Sequence, residues 1–113
     1  MKQINQGDIY MADLNPIKGY EQAGLRPVLI MQNNILNRNL NTVIIAPLTS
    51  NMSAKGKRTT EFLPKKKTGL KMDSVALFFQ IRTLDKTRLI KEVGHIGKKD
   101  FSQMRVRMIE CFY

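Results

Sequence analysis

Short apolar runs separated by turn-forming residues fill the first four fifths of the chain. Runs of a few residues, rich in β-branched side chains, are typical of strands in a small sheet or barrel. The pattern predicts two strands without a polar face, which we expect to be central, at residues 27–32 and 74–81. Four further strands are predicted at residues 9–12, 42–46, 59–63 and 88–96, the second of them ending at Pro47.

Two segments have helical patterns. Residues 33–40 can form one or two turns after the second strand. The C-terminal segment 98–112 is clearer, because its apolar residues recur every three or four positions and form one stripe, typical of core packing: Phe101, Met104, Met108 and Phe112. Arg105 and Arg107 lie off that stripe. The sequence therefore predicts a mainly β domain with a C-terminal helix, and 113 residues suit a single domain spanning 1–113.

The charge balance is strongly basic. Nineteen Lys and Arg against nine Asp and Glu give a net charge of +10, and such a field attracts phosphate chains and acidic peptides. Two predicted loops, 51–58 and 65–69, carry much of it. They are either solvated loops that aid solubility or a surface that faces phosphates.

Several kinds of site are disfavoured by counting residues. One cysteine, Cys111, allows neither an internal disulfide nor a cysteine-based zinc site within one chain, which suits a reducing compartment. One histidine, His95, cannot run a two-histidine acid–base cycle and is expected to be structural or superficial. The acidic residues are scattered singly, which disfavours a metal-dependent nuclease. With no signal peptide or bilayer-spanning stretch in view, we expect a cytoplasmic protein.

The segment 19–27 holds candidate chemistry. Gly19 and Gly24 allow a loop that runs close to a ligand, while Glu21 and Arg26 put one acid and one guanidinium within it. A guanidinium at a strand entrance can grip a phosphate with two parallel hydrogen bonds. From the residues alone, a simple salt bridge or turn explains the segment equally well.

Several motifs, in order along nearly the whole chain, resemble the MazF/PemK family of endoribonuclease toxins. Gly-Asp-Ile-Tyr at 7–10, Asn-Pro at 15–16 and Glu-Gln-x-Gly-x-Arg-Pro at 21–27 are similar to the opening of these toxins. Ala-Pro-Leu-Thr-Ser at 46–50 resembles the threonine-bearing end of their next long strand. Asp-Ser-Val-Ala-Leu at 73–77, followed by Gln-Ile-Arg-Thr-Leu-Asp at 80–85, matches a later core strand and turn.

The resemblance implies an SH3-like barrel of the MazF/CcdB toxin type, a homodimer, and single-stranded RNA held near the dimer interface. It implies that Arg26 and Thr49 are the catalytic pair, with Glu21 either polarising the 2′-hydroxyl or holding Arg26. No metal or other cofactor is expected, and the products would carry 2′,3′-cyclic phosphate and 5′-hydroxyl ends. Candidate RNA-binding residues, read from the motifs and the loop 51–58, are Tyr20, Gln22, Ser50, Lys55, Lys57, Arg58, Gln80 and Arg82. Tyr20 could instead pack on the barrel.

Partners and alternatives follow from the same resemblance. An acidic, largely disordered antitoxin tail is expected to occupy the basic groove, although the short C-terminal tail and high charge depart from the family pattern. A non-enzymatic toxin such as the gyrase poison CcdB is one alternative. That relative acts through a terminal Trp-Gly-Ile, whereas this chain has no Trp and ends in Cys-Phe-Tyr. The other alternative is a catalytically silent RNA-binding barrel.

Overall fold

The computed structural model describes residues 3–15 and 24–112. Within these ranges seven strands pair antiparallel in the order β4-β5-β3-β2-β1-β7, with β6 also on β3. The strands are β1 (Asp8–Asp13), β2 (Leu25–Ile30), β3 (Thr42–Thr49), β4 (Thr60–Leu63), β5 (Ser74–Leu77), β6 (Arg82–Asp85) and β7 (Leu89–His95). The helices are α1 (Asn34–Asn39), α2 (Lys65–Thr68) and α3 (Lys98–Ile109). The predicted mainly β architecture with a C-terminal helix is confirmed.

The core has two parts because the middle strands are covered on both faces. Leu29 joins a cluster with Leu48, Phe78 and the α3 residues Phe101 and Met104. The neighbouring residues of β2 point the other way, into a second cluster: Val28 and Ile30, with Tyr10, Val43 and Ile45. The expectation that β2 is a central strand with no polar face is therefore correct.

The predicted end of the third strand at Pro47 is wrong, since β3 continues to Thr49. Pro47 is fully buried and lies opposite Val28 of β2. On its other edge, β3 pairs with β6 up to Ile45 and with β5 only from Leu48. Pro47 thus lies where this edge of β3 has no paired strand. Proline lacks a backbone N–H, and at this position no strand hydrogen bond is lost for that reason.

The predicted single strand at 74–81 is also wrong. Strand β5 ends at Leu77, and a 3₁₀ turn, Phe78–Gln80, fills most of the rest of the run before β6 begins at Arg82. On β3, Ile45 and Leu48 are three residues apart. Their partners, Arg82 of β6 and Ala76 of β5, are six residues apart. The three extra residues are accommodated by the turn, and Phe78 is buried in the core beneath it.

The C-terminal helix follows the predicted stripe only in part. Phe101 and Met104 are buried and Met108 packs against the same cluster. The prediction that Phe112 belongs to the stripe is wrong. The helix ends at Ile109, so this side chain does not continue the stripe and is 68% exposed.

The two basic segments are more ordered than predicted. Residues 65–68 form the short helix α2, which Gly69 ends in a left-handed conformation with φ 78°. The loop 51–58 contains a 3₁₀ turn, Met52–Ala54, capped by the side chain of Asn51. Among the described residues, we find no helix with the length and apolar character needed to cross a membrane.

Candidate functional site

Arg26 and Thr49 lie near the same end of two adjacent strands. Val28 lies opposite Pro47 in the last observed pair between β2 and β3 at this end. Arg26 precedes Val28 by two residues, and Thr49 follows Pro47 by two residues. If the antiparallel register were continued past that pair, it would align the two side chains on one face of the sheet. The two residues of the candidate catalytic pair, 23 positions apart in sequence, are thus brought to the same end of β2 and β3.

Thr49 is fixed on several sides. It pairs with Val75 of β5, its residue is only 8% exposed, and its Oγ1 accepts a hydrogen bond from the Asn51 N–H at 3.1 Å. Because a hydroxyl oxygen has two lone pairs and one proton, it can still donate to a bound group. Since β3 ends at Thr49, this hydroxyl lies at the junction between the strand and the loop 51–58.

A groove of about 240 Å³ opens beside the start of β2. Arg26 and Ser50 both line it, which joins one predicted catalytic residue to one predicted RNA contact. The opposite wall is formed by residues after α2, including Lys71 and Met72, both exposed. Sequence reasoning missed Lys71; its position just beyond the basic segment 65–69 was the available signal. Two cations, Arg26 and Lys71, make the groove suitable for a phosphate.

The basic residues of loop 51–58 make contacts away from this groove. Lys55 Nζ lies 4.1 Å above the centre of the Phe62 ring, a cation–π contact. The Lys57 carbonyl accepts a hydrogen bond from Arg107 at 3.0 Å. Arg58 lies with Nε 3.6 Å from Glu110 Oε2 and remains highly exposed. Arg58 thus lies against the segment that follows α3 and does not line the Arg26 groove.

Gln80 and Arg82 lie on the other edge of β3. Arg82 is opposite Ile45, four residues before Thr49, a separation of about 13 Å along a strand. Gln80 ends the 3₁₀ turn before it. A bound RNA would have to cross β3 to reach both Arg26 and these side chains.

Three predicted site residues, Tyr20, Glu21 and Gln22, lie outside the described residues. Within the described ranges, no three His, Cys, Asp or Glu side chains gather as a metal-binding group. His95 has a structural setting, since its Nδ1 is 2.9 Å from the carboxylate of the buried Asp8. Burial raises the pKa of the Cys111 thiol, with the nearby Glu110 adding to the effect, and this disfavours a reactive thiolate.

Comparison with known proteins agrees with this picture. The family model for PemK-like, MazF-like toxins of type II toxin–antitoxin systems matches residues 5–112. Endoribonuclease EndoA of Bacillus subtilis is 43% identical over 93 residues, which cover 82% of this chain and 80% of the relative. Endoribonuclease MazF of Staphylococcus saprophyticus is 41% identical over 101 residues, covering 89% and 84%.

Solved structures share the fold. MazF from Deinococcus radiodurans superposes with a TM-score of 0.82 at 23% identity, covering 99% of this chain and 98% of that one. A mycobacterial endoribonuclease crystallised with its cognate antitoxin gives a TM-score of 0.74 at 20% identity, with coverages of 99% and 95%. Since the family model spans nearly all of the sequence, the chain belongs to the PemK-like, MazF-like toxin family of type II toxin–antitoxin systems.

Proposed function

We propose that this chain is a sequence-selective, metal-independent endoribonuclease toxin that cuts single-stranded mRNA and thereby arrests growth. The observation that carries the proposal is that β2 and β3 bring Arg26 and Thr49 to the same end of the sheet, where Arg26, Ser50 and Lys71 line one groove. The names of the two curated relatives, both endoribonucleases, support the same activity.

The reaction proceeds through the RNA's own 2′-hydroxyl. A general base takes the 2′-hydroxyl proton, the oxygen attacks the adjacent phosphorus, the bond to the 5′-oxygen breaks, and a general acid returns a proton to that leaving oxygen, giving a 2′,3′-cyclic phosphate and a 5′-hydroxyl. Arg26 stabilises the charge that develops on the phosphorane, since a guanidinium stays protonated at neutral pH and is a poor base. Thr49 orients the phosphate or the 2′-hydroxyl by hydrogen bonding. Glu21 acts on the 2′-hydroxyl or on Arg26.

The whole chain acts as one domain, in a homodimer, in the cytoplasm. Its activity is held in check by a cognate antitoxin with an acidic tail, which the net charge of +10 would attract. Structures of MazE–MazF from Deinococcus radiodurans and of a mycobacterial endoribonuclease with its cognate antitoxin support such an assembly. Co-purification with the product of the neighbouring gene tests for the antitoxin, and mass measurement in solution tests for the homodimer.

The activity is tested by incubating the purified protein with long single-stranded RNA in excess EDTA and mapping the cut ends. The matched variants are Arg26→Ala with Arg26→Lys, and Thr49→Val with Thr49→Ser. Removing one group that stabilises the transition state costs about 100-fold or more in rate. We therefore expect large losses for the Ala and Val variants. Lys should recover little, because it lacks the bidentate fork, whereas Ser should keep most activity.

Cleavage by the wild type in EDTA, leaving 5′-hydroxyl ends, supports the metal-free mechanism. RNA binding without cleavage by folded wild-type protein contradicts the proposal and favours the silent binding module. Full activity of Arg26→Ala or Thr49→Val removes that residue from the catalytic pair.

A further inference from the structure

A row of exposed lysines continues outward from the groove that holds Arg26. We call it the lysine ridge, and it comprises Lys71, the α2 residues Lys65 and Lys66, and the first two residues of α3, Lys98 and Lys99. The sequence left open whether segment 65–69, which contains α2, faces phosphates, and it gave no indication for the start of α3.

Two contacts hold the parts of the ridge together. The Lys65 N–H donates to Asp73 Oδ1 at 2.9 Å, and Asp73 stands between two groove-lining residues, Met72 and Ser74. Farther out, Lys67 Nζ lies 3.3 Å from Asp100 Oδ1, which ties α2 to the first turn of α3. The ridge is therefore continuous with the groove at one end and reaches α3 at the other.

The ridge lysines have no ion-pair partner among the described residues. In the structure as described for residues 3–15 and 24–112, no carboxylate lies within ion-pair distance of Lys65, Lys66, Lys98 or Lys99. Positive charge in the first turn of a helix is also unfavourable, because the helix dipole is positive there. Lys98 and Lys99 thus do not serve the stability of α3, whereas a bound polyanion would neutralise them.

We propose that the lysine ridge binds the phosphates of single-stranded RNA on one flank of the cleaved bond, without reading its sequence. The proposal rests on the proposed endoribonuclease function. RNA is favoured over an acidic peptide because, among the described residues, the outer ridge segments 65–68 and 97–100 expose no large hydrophobic side chain, and the exposed Met72 lies at the groove end of the ridge only. Phosphate contacts need only charge, whereas a peptide that orders on binding needs apolar anchors.

The test compares two non-cleavable RNA probes, each with a 2′-deoxy nucleotide at the mapped cut site. One probe carries only the cut motif, and the other adds unstructured polyuridine flanks on both sides. Binding is measured across a salt series for wild type, Lys65→Gln/Lys66→Gln and Lys98→Gln/Lys99→Gln. The control Arg38→Gln/Arg105→Gln removes the same charge from exposed positions outside the ridge.

Each ridge variant should bind the flanked probe about tenfold more weakly and lower its salt slope by about 1.4, the value for two lost phosphate contacts on a single strand. The short probe should bind as in wild type, and the control should leave both probes unchanged. Equal weakening by the control, or unaltered binding of the flanked probe by both ridge variants, overturns the proposal. So does loss of antitoxin affinity with RNA binding intact, which would assign the ridge to the peptide. If the wild type cuts no RNA, the proposed function fails, and the ridge is then tested with polyuridine alone, whose binding needs no mapped cut site and should weaken in the ridge variants only.

Discussion

Arg107 of α3 lies with its Nε 2.9 Å from Oε1 of Glu61 on β4. The same guanidinium donates to the Lys57 carbonyl at 3.0 Å, so one side chain joins the C-terminal helix to both a strand and the loop 51–58. On its other side this loop is held by Thr60, whose hydroxyl donates to the Ala54 carbonyl at 2.8 Å. The loop that carries the cations proposed to meet RNA is thus anchored to α3 through its backbone at Lys57.

Replacing Arg107 with Met should loosen this loop. The ion pair is partly exposed, so we expect the free energy of unfolding to fall by about 1 kcal/mol or less. The larger effect should be local, as faster first cleavage by trypsin after Lys55, Lys57 or Arg58. Urea denaturation and timed proteolysis with mass spectrometry measure the two effects.

Glu61→Gln is the matched control for this prediction, because it removes the ion pair but leaves the hydrogen bond to Lys57. It should reduce stability without speeding proteolysis to the same extent. Identical proteolysis of wild type and Arg107→Met would show that α3 does not hold the loop.

Gly94 allows β7 to approach the segment after α2. A Cβ at this position would lie 2.6 Å from the Thr68 carbonyl oxygen and 3.1 Å from Leu70 Cδ2. Gly94→Ala should therefore lower the free energy of unfolding by about 1–3 kcal/mol, since backbone must move to make room. The reference is the wild type, and a urea midpoint for Gly94→Ala equal to that of the wild type would contradict the prediction.

Asp85 should make stability depend on pH in the acidic range. Its carboxylate accepts hydrogen bonds from the Thr87 N–H at 2.9 Å and the Thr87 hydroxyl at 2.7 Å, which hold its pKa below the ordinary value of 3.8. A carboxyl whose pKa is lowered in the folded state contributes its stability above the ordinary pKa and loses it as pH falls through the folded value. Urea midpoints should thus fall more steeply for wild type than for Asp85→Asn below about pH 4. Parallel pH profiles would count against this role.

Most strands were predictable because burial leaves a local signature. The apolar run at 27–32 and the alternating run at 88–96 both appear as strands, β2 and β7, with ends shifted by one or two residues. Residues 33–40 correctly indicated a helix, α1. In each case one or two faces of the element are buried over its length, and sequence periodicity reports that burial directly.

The errors came where neighbours along the sheet decide the outcome. Strand β3 continues through Pro47 because its edge toward β5 and β6 is unpaired there. Strand β5 ends within the run 74–81 because three extra residues, relative to β3, are accommodated in the 3₁₀ turn. Lys71 lines the groove because the segment that follows α2 lies beside Arg26 and Ser50. The strand partners of β3 are far away in sequence, so no local pattern could reveal the first two outcomes, whereas for Lys71 the neighbouring basic segment was the only local signal.

The sequence by itself determined the family, the mainly β class, the C-terminal helix and the identity of the candidate pair Arg26 and Thr49. The tertiary structure decided that β2 and β3 bring this pair to the same end of the sheet, that Arg58 lies against the end of α3, and that lysines of α2 and α3 form one ridge. The physical reason is that motifs and periodicity record which residues a chain carries and which face it buries. Register and packing depend on contacts between segments that are far apart along the chain.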